Sequence, residues 1–286
     1  MIIIKKEEEI IMASFTMKND EVCVVIDEHA SEIHSFKDNE TGLEYMWQGD
    51  PAYWSGRNPT LFPMVGSTWD KILHIDGKEY KTGNHGFCRR SDFTCIEHTD
   101  NEIVMELKDN EMTRSEYPFA FTLQIRYELC GKKLVITYTI KNENDREMPF
   151  NFGLHPAFNC PVEPDKKFED YHIGFSNHET FEWLTTKADN VKELALDREA
   201  LAATIIITDP NSSYAELTDG NHGVRVSCVG YKWLAFWSPN APFVCIEPWH
   251  SHTDFTEVKV PFEEREGTLK LEAGKTFTTA YSIEVF

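Results

Sequence analysis

The chain has 286 residues, long enough for one large β domain to bury a sizeable core. Its 48 acidic and 28 basic side chains give a formal charge of −20, which repels phosphate backbones and anionic membranes over a Debye length of about 8 Å and sets both aside as partners. Seven cysteines, odd in number and without a C-x-x-C pair, argue against a disulfide framework or zinc knuckle and fit reduced thiols in a reducing compartment.

The leader "MIIIKKEEEIIMASF" has too short an apolar run for a secretory signal, and its charges follow that run rather than precede it. The expected location is therefore cytoplasmic. Residues 1–14 are expected to be an extra or frayed segment, with a single domain over 15–286 starting near Phe15. Period-two alternation then predicts strands in "EVCVVID" (21–27), "SEIHSF" (31–36), "EIVMEL" (102–107), "FTLQIRYEL" (121–129) and "KLVITYTIKN" (133–142). Gly131 marks a hairpin between the last two, and "KDNETGLEYMW" (37–47) reads as strand, polar turn, strand. Further strands are expected in "ATIIITD" (203–209), "YAELTD" (214–219), "GVRVSCVG" (223–230), "WLAFWS" (233–238) and the closing "GTLKLEAG" and "FTTAYSIEVF". Only "VKELALDREALAA" (191–203) carries a helical pattern. With no repeat and no linker, the expected fold is all-β, a large antiparallel β-sandwich or closed barrel whose loops or concave face carry function.

Ionisable and aromatic residues concentrate in four segments. In "YWSGRNPTLFPMVG" (53–66), Gly56 and Pro59 set a tight turn that offers Arg57 to a hydroxyl-rich or anionic ligand, or simply closes a loop at the surface. In "GNHGFCRRSDF" (83–93), His85 precedes Gly86, which permits close approach of backbone to ligand, and Arg89 and Arg90 follow. In "FNFGLHPAF" (150–158), His155 sits among apolar residues that can move its pKa around about 6.5, and Pro156 steers it to an extended conformation. The alternative is a core histidine bonded to a carbonyl. In "KWLAFWSPNAPFVCIEPWHSHTDF" (232–255), Glu247 ends the apolar run "FVCI" beside Trp249, which aims a carboxylate at a rim and makes an acid/base pair with a histidine. Its alternative is an edge-strand glutamate in solvent.

"NHGFCR" (84–89), "GLHPAF" (153–158) and "FVCIEPW" (243–249), in that order and joined by "GRNPTLFP", resemble the aldose 1-epimerase (galactose mutarotase-like) family, most of all its LacX-type bacterial branch, over about residues 17–286. The resemblance implies a β-supersandwich and interconversion of the α and β anomers of a free hexose such as galactose or glucose, without metal or organic cofactor. It makes His155 the general acid toward the ring oxygen and Glu247 the general base toward the C1 hydroxyl. It places His85, Arg57 and Arg89 on sugar-binding positions, and Lys232 and Trp237 along the pocket. Galactose mutarotases also carry an aspartate that contacts sugar hydroxyls between the acid and base segments, and no residue here is assigned to it. The reaction needs only an acid and a base on opposite sides of the anomeric centre, so a missing P-loop or zinc spacing is consistent with it.

Three other readings stay open at this stage. A non-catalytic sugar-binding or sugar-sensing protein would use the aromatics and Arg57 without needing both His155 and Glu247. A metal site would use His250 and His252 of "WHSH" with His85 or His155, although cupin-like sites place their H-x-H pair before the glutamate. A hexose 6-phosphate would be gripped by two of Arg57, Arg89 and Arg90, which the overall acidity disfavours. Expected partners are a small-molecule aldose and, at most, a second copy of the chain in a homodimer.

Overall fold

Wherever branched and aromatic residues alternate with polar ones, the backbone is extended. The computed structural model describes residues 13–286, so the expectation for residues 1–12 lies outside the described part; Ser14 already pairs with Asp27 in the first strand. "KLVITYTIKN" forms the Lys133–Asn142 strand, and Cys130–Lys133 turns it back on Phe121–Cys130 with Gly131 at φ +58°. Leu134, Ile136, Tyr138 and Ile140 lie opposite Leu129, Tyr127, Ile125 and Leu123 on one buried face. Truncating any of these aliphatics to Ala costs about 2–5 kcal/mol, because the neighbouring strands cannot close the void. This hairpin lies inside a nine-stranded antiparallel sheet, next to its central strand Thr276–Val285, and a three-stranded sheet (Ser14–Lys18, Val22–Asp27, Ile33–Asp38) lies beside it.

The functional sheet has six strands. Ile205–Thr208, Trp233–Trp237, Phe243–Trp249, Gly153–Leu154 and Thr60–Leu61 lie in that order, and Ala157–Asn159 also pairs with Phe243–Trp249. Its Leu234, Phe236, Val244, Ile246, Leu154 and Phe158 share one core with the nine-stranded sheet, which is the sandwich that the alternation predicts. The opposite face carries Trp233, Ala235, Trp249 and Ile206 in one apolar cluster and Ala157, Phe243 and Cys245 in another. Both faces of Phe243–Trp249 are therefore covered. That explains why "FVCIEPW" is a near-continuous apolar run rather than an alternating one.

Several expectations change in three dimensions. The predicted helix over 191–203 is mostly strand, since Val191 pairs with Glu179 and Leu194 with Ile173 in a long hairpin, and only Arg198–Ala202 is helical. Cross-strand pairing overrides a weak helical pattern, and Asp197, whose carboxylate accepts the Ala200 N–H at 2.8 Å, delays the helix start. That hairpin, His172–Trp183 with Thr186–Ala195, carries no clean alternation. A short helix, Glu111–Glu116, is capped reciprocally by Asn110 and Thr113. The second expected strand in 37–47 shrinks to a bridge between Lys37 and Glu44 after a turn with Gly42 at φ +75°. No helix among the described residues is long and apolar enough to cross a membrane.

Candidate active site

Antiparallel register brings the two best candidates together. Gly153 pairs with Trp249, and Ala157 with Cys245, so one register runs through both short strands and sets His155 opposite Glu247 between them. Directly opposed residues on one face have Cβ atoms about 4.5–5.5 Å apart, close enough for the side chains to meet. His155 Nε2 lies 3.4 Å from Glu247 Oε2. The two candidate groups thus stand side by side on one face of the sheet. Glu247 is in the middle of its strand and 1% exposed, so neither the rim position nor the solvent-exposed alternative holds. The strand continues through Pro248, opposite Leu234.

Small residues make room around the pair. Ala235 lies opposite Glu247 on the next strand and Ile206 opposite Ala235 on the one after, so the sheet beside the carboxyl is a shallow floor. Gly153 is required by the neighbour it faces: a Cβ there would sit 2.7 Å from the Trp249 ring and 2.9 Å from Val65. Trp249 is fixed from below by its Nε1–H donating to the Leu154 carbonyl at 3.1 Å. The His155 ring stacks on Trp54 at 4.7 Å and meets Trp237 and His85 edge-on at 5.5 Å each. Aromatic packing, rather than a hydrogen bond, holds the imidazole; its Nδ1 and the Oε2 of Glu247 are buried without a hydrogen-bond partner.

Above this floor is a cavity of about 710 Å³. Polar Asn84, His85 and Arg89 and apolar Trp183, Leu184, Ile206 and Phe255 are among its lining residues. Trp183 and Phe255 pack edge-on at 4.9 Å, so the tip of the long hairpin closes against the 251–256 loop. That loop is held by Thr253, which exchanges hydrogen bonds with the Ser67 backbone, and by the ion pair of Asp254 with Arg265.

Burial dominates the electrostatics. It pushes the Glu247 carboxyl well above its ordinary range and the His155 imidazolium well below its own, the latter helped by His85 and Arg89 nearby. Desolvation penalises each charged form, so burial favours the neutral imidazole and the neutral carboxyl. His85 is lowered to about 4, by burial first and Arg89 second. Its Nδ1 accepts the Gly66 N–H at 3.0 Å, which leaves the hydrogen on Nε2 as a donor.

Of the predicted binding residues, His85, Arg89 and Trp237 line the cavity and Arg57 and Lys232 do not. Arg57 turns into an adjoining cleft with His34 and Glu32, where its guanidinium donates to the Gln48 carbonyl at 2.8 Å; only Arg89 borders both spaces. The guanidinium packs against Gly49, where an added Cβ would lie 2.9 Å from it. Lys232 precedes its strand on the surface, pairs with Glu266 at 3.1 Å and lies over the Trp233 ring. Gly86 serves a backbone approach, but to the Phe62–Pro63 peptide rather than to a ligand. The histidines of "WHSH" are engaged structurally: His250 bonds Thr279 at 2.8 Å and stacks on Tyr231, and His252 bonds the Thr253 carbonyl. No aspartate lines the cavity among the described residues. Trp54, Trp183 and Phe255 were not singled out from the sequence. "YWSG" lies within a quoted motif, whereas the hairpin tip carries no local signal.

Two histidines make acid stability measurable. Burial lowers His250, like His85, to about 4, whereas an unfolded histidine titrates near 6.5. Between those values the unfolded chain binds protons that the folded chain refuses, so the stability these two histidines contribute is complete above about pH 6.5 and is lost progressively down to about pH 4. At about 1.4 kcal/mol per pKa unit, each residue accounts for about 3 kcal/mol of that loss. Denaturant midpoints at pH 7.5 and 5 should differ accordingly, and His250→Asn should flatten the slope.

The large antiparallel sandwich that carries this imidazole–carboxyl pair has the galactose mutarotase-like fold. The family model for aldose 1-epimerase matches residues 13–283. The chromosomal protein LacX of Lactococcus lactis subsp. lactis is 30% identical over 94% of this chain and 98% of its own length. The galactose mutarotase related enzyme of Lactobacillus acidophilus superposes with a TM-score of 0.87 at 31% identity, covering 96% of this chain and 97% of that one. A galactose mutarotase-like protein from Lactobacillus casei ATCC 334 gives 0.85 at 26% identity, over 96% and 100%. The chain belongs to the aldose 1-epimerase family.

Proposed function

We propose that the protein is a mutarotase that interconverts the α and β anomers of a free, unphosphorylated hexose such as galactose or glucose. The observation that carries this reading is the juxtaposition of His155 and Glu247 at 3.4 Å, both buried, with no other hydrogen-bond partner on Glu247 Oε2. A pyranose has two oxygens on its anomeric carbon, the ring oxygen and the C1 hydroxyl, so a donor and an acceptor that stand side by side match them. His155 gives a proton to the ring oxygen while Glu247 takes the C1 hydroxyl proton. The C1–ring oxygen bond breaks, the aldehyde turns about C1–C2, and closure on the other face returns both protons. One proton shared by the couple is what this cycle uses and restores. The sugar's hydroxyls, with Asn84, His85 and Arg89 around them, supply polar surroundings that favour the imidazolium–carboxylate form.

Two observations favour a neutral sugar over a 6-phosphate. Arg57 is engaged outside the cavity, and Arg90 is paired with Glu116, which leaves Arg89 alone of the three. Two arginines that grip a phosphate are thus not gathered here. In this reading His85, Asn84 and Arg89, which line the cavity, donate to ring hydroxyls, and Trp237 and Trp249, also in the lining, cover the sugar's C–H surface.

Polarimetry on freshly dissolved α-D-glucose, α-D-galactose and their 6-phosphates tests the reading. The expected result is accelerated loss of optical rotation with the neutral sugars, unchanged in Lys232→Ala. Inactivity on every aldose, with sugar binding retained, would leave a binding protein instead.

A further inference from the structure

Cys245 is the third member of a buried cluster whose other two, His155 and Glu247, line the cavity. It lies two residues before Glu247 on the same face of the same strand, and diagonally across from His155. One ligand atom from each of His155, Cys245 and Glu247 falls within 4.8 Å of the other two, and all three residues are buried. It is the one group of three such side chains among the described residues.

The donor set has a chemical preference. A thiol, an imidazole and a carboxyl match zinc or its close relatives; magnesium and calcium favour oxygen ligands alone. The 3.4 Å between His155 Nε2 and Glu247 Oε2 is already the edge of a tetrahedron with bonds of about 2.0–2.1 Å. The thiol has to close in by about an ångström to reach its bond length of about 2.3 Å. Glu247 Oε2 is buried with no hydrogen-bond partner, so a ligating atom is available without breaking an existing bond. Three protein ligands leave the fourth position toward the cavity. A thiolate and a carboxylate together neutralise the ion, and the thiol and carboxyl protons leave to solvent.

We infer that Cys245, His155 and Glu247 form a binding site for a thiophilic divalent cation, with Zn²⁺ the best fit, and that the bound ion switches the acid/base pair off. The second half rests on the mutarotase reading, since zinc takes the lone pairs that receive and return the proton. Cys245 has no part in the reaction, so the site can be separated from catalysis. No redox step is involved.

The experiment uses protein in which the more accessible thiols Cys23, Cys95 and Cys130 are serine, to remove adventitious binding. Mutarotation is followed while buffered Zn²⁺ is raised, with Mg²⁺ and Ca²⁺ as controls. Zinc should abolish activity, chelation should restore it, and the controls should have no effect. Cys245→Ser and Cys245→Ala should keep the basal rate and need at least about tenfold more zinc, since even the loss of a group that supports a ligand costs 10–100-fold in affinity. Zinc and cobalt binding are read separately by equilibrium dialysis and by the thiolate-to-cobalt absorption band, which should appear at one ion per chain and vanish in Cys245→Ala. This arm reports on the site even if no aldose proves to be a substrate. Inhibition unchanged in both Cys245 variants, or no thiolate band with cobalt, overturns the site. Stoichiometric binding without inhibition overturns the switch.

Discussion

Replacing His155 with Asn or Glu247 with Gln is expected to slow mutarotation by about 10²–10⁴-fold, the usual contribution of one positioned acid or base. Both substitutions keep shape and hydrogen-bonding capacity but remove proton transfer near neutral pH. Stability should hold or rise slightly, because each variant replaces an ionisable group that burial already disfavours. The double variant should be about as slow as the slower single one, since a proton delivered to the ring oxygen is of little use when none is taken from the hydroxyl. Rates from polarimetry, with unfolding midpoints measured on the same preparations, check both halves. A single variant within tenfold of wild type would remove that residue from the proposed mechanism.

Much of this site was legible because its residues sit in regular structure. His155 and Glu247 occupy opposed positions of one antiparallel register, flanked by motifs that are themselves strands, so motif and geometry coincide. Arg57 and Lys232 lie equally near those motifs in sequence, yet a loop and a strand entry set their direction. Contacts with the Gln48 carbonyl and with Glu266 decide where each side chain goes, and neither contact leaves a local pattern. The apolar wall was hidden for another reason. Trp183 and Leu184 form the tip of a hairpin whose strands have irregular register, with shifts at Gly174, Glu179 and Phe181, so alternation fails and a helical pattern takes its place. The sandwich could be predicted from many strands at once, and the loss of any one of them left the class unchanged.

Gly86→Ala should be the most damaging conservative substitution in the protein. A Cβ at this position would lie 2.2 Å from the Phe62 carbonyl oxygen and 2.8 Å from the Pro63 nitrogen, and both are backbone atoms that cannot swing aside. Its φ of +72° adds strain for any L side chain. His85 itself stands at φ +64°, so the two residues form one left-handed step that delivers the imidazole to the Gly66 N–H and turns Nε2 toward the cavity. Strain and overpacking together are expected to cost about 2–5 kcal/mol, or roughly 5–15 °C in melting temperature for a domain of this size. Activity should fall as well, because relief of the clash must move either the Phe62–Pro63 segment or the 84–89 loop, and Asn84, His85 and Arg89 move with the latter. His85→Ala separates the two effects. It keeps the backbone step and loses the ring, so it should raise KM for the sugar while the melting temperature shifts by only a few degrees. If Gly86→Ala melts like wild type, the contact with Phe62 is not what fixes the loop, and the orientation of His85 needs another cause.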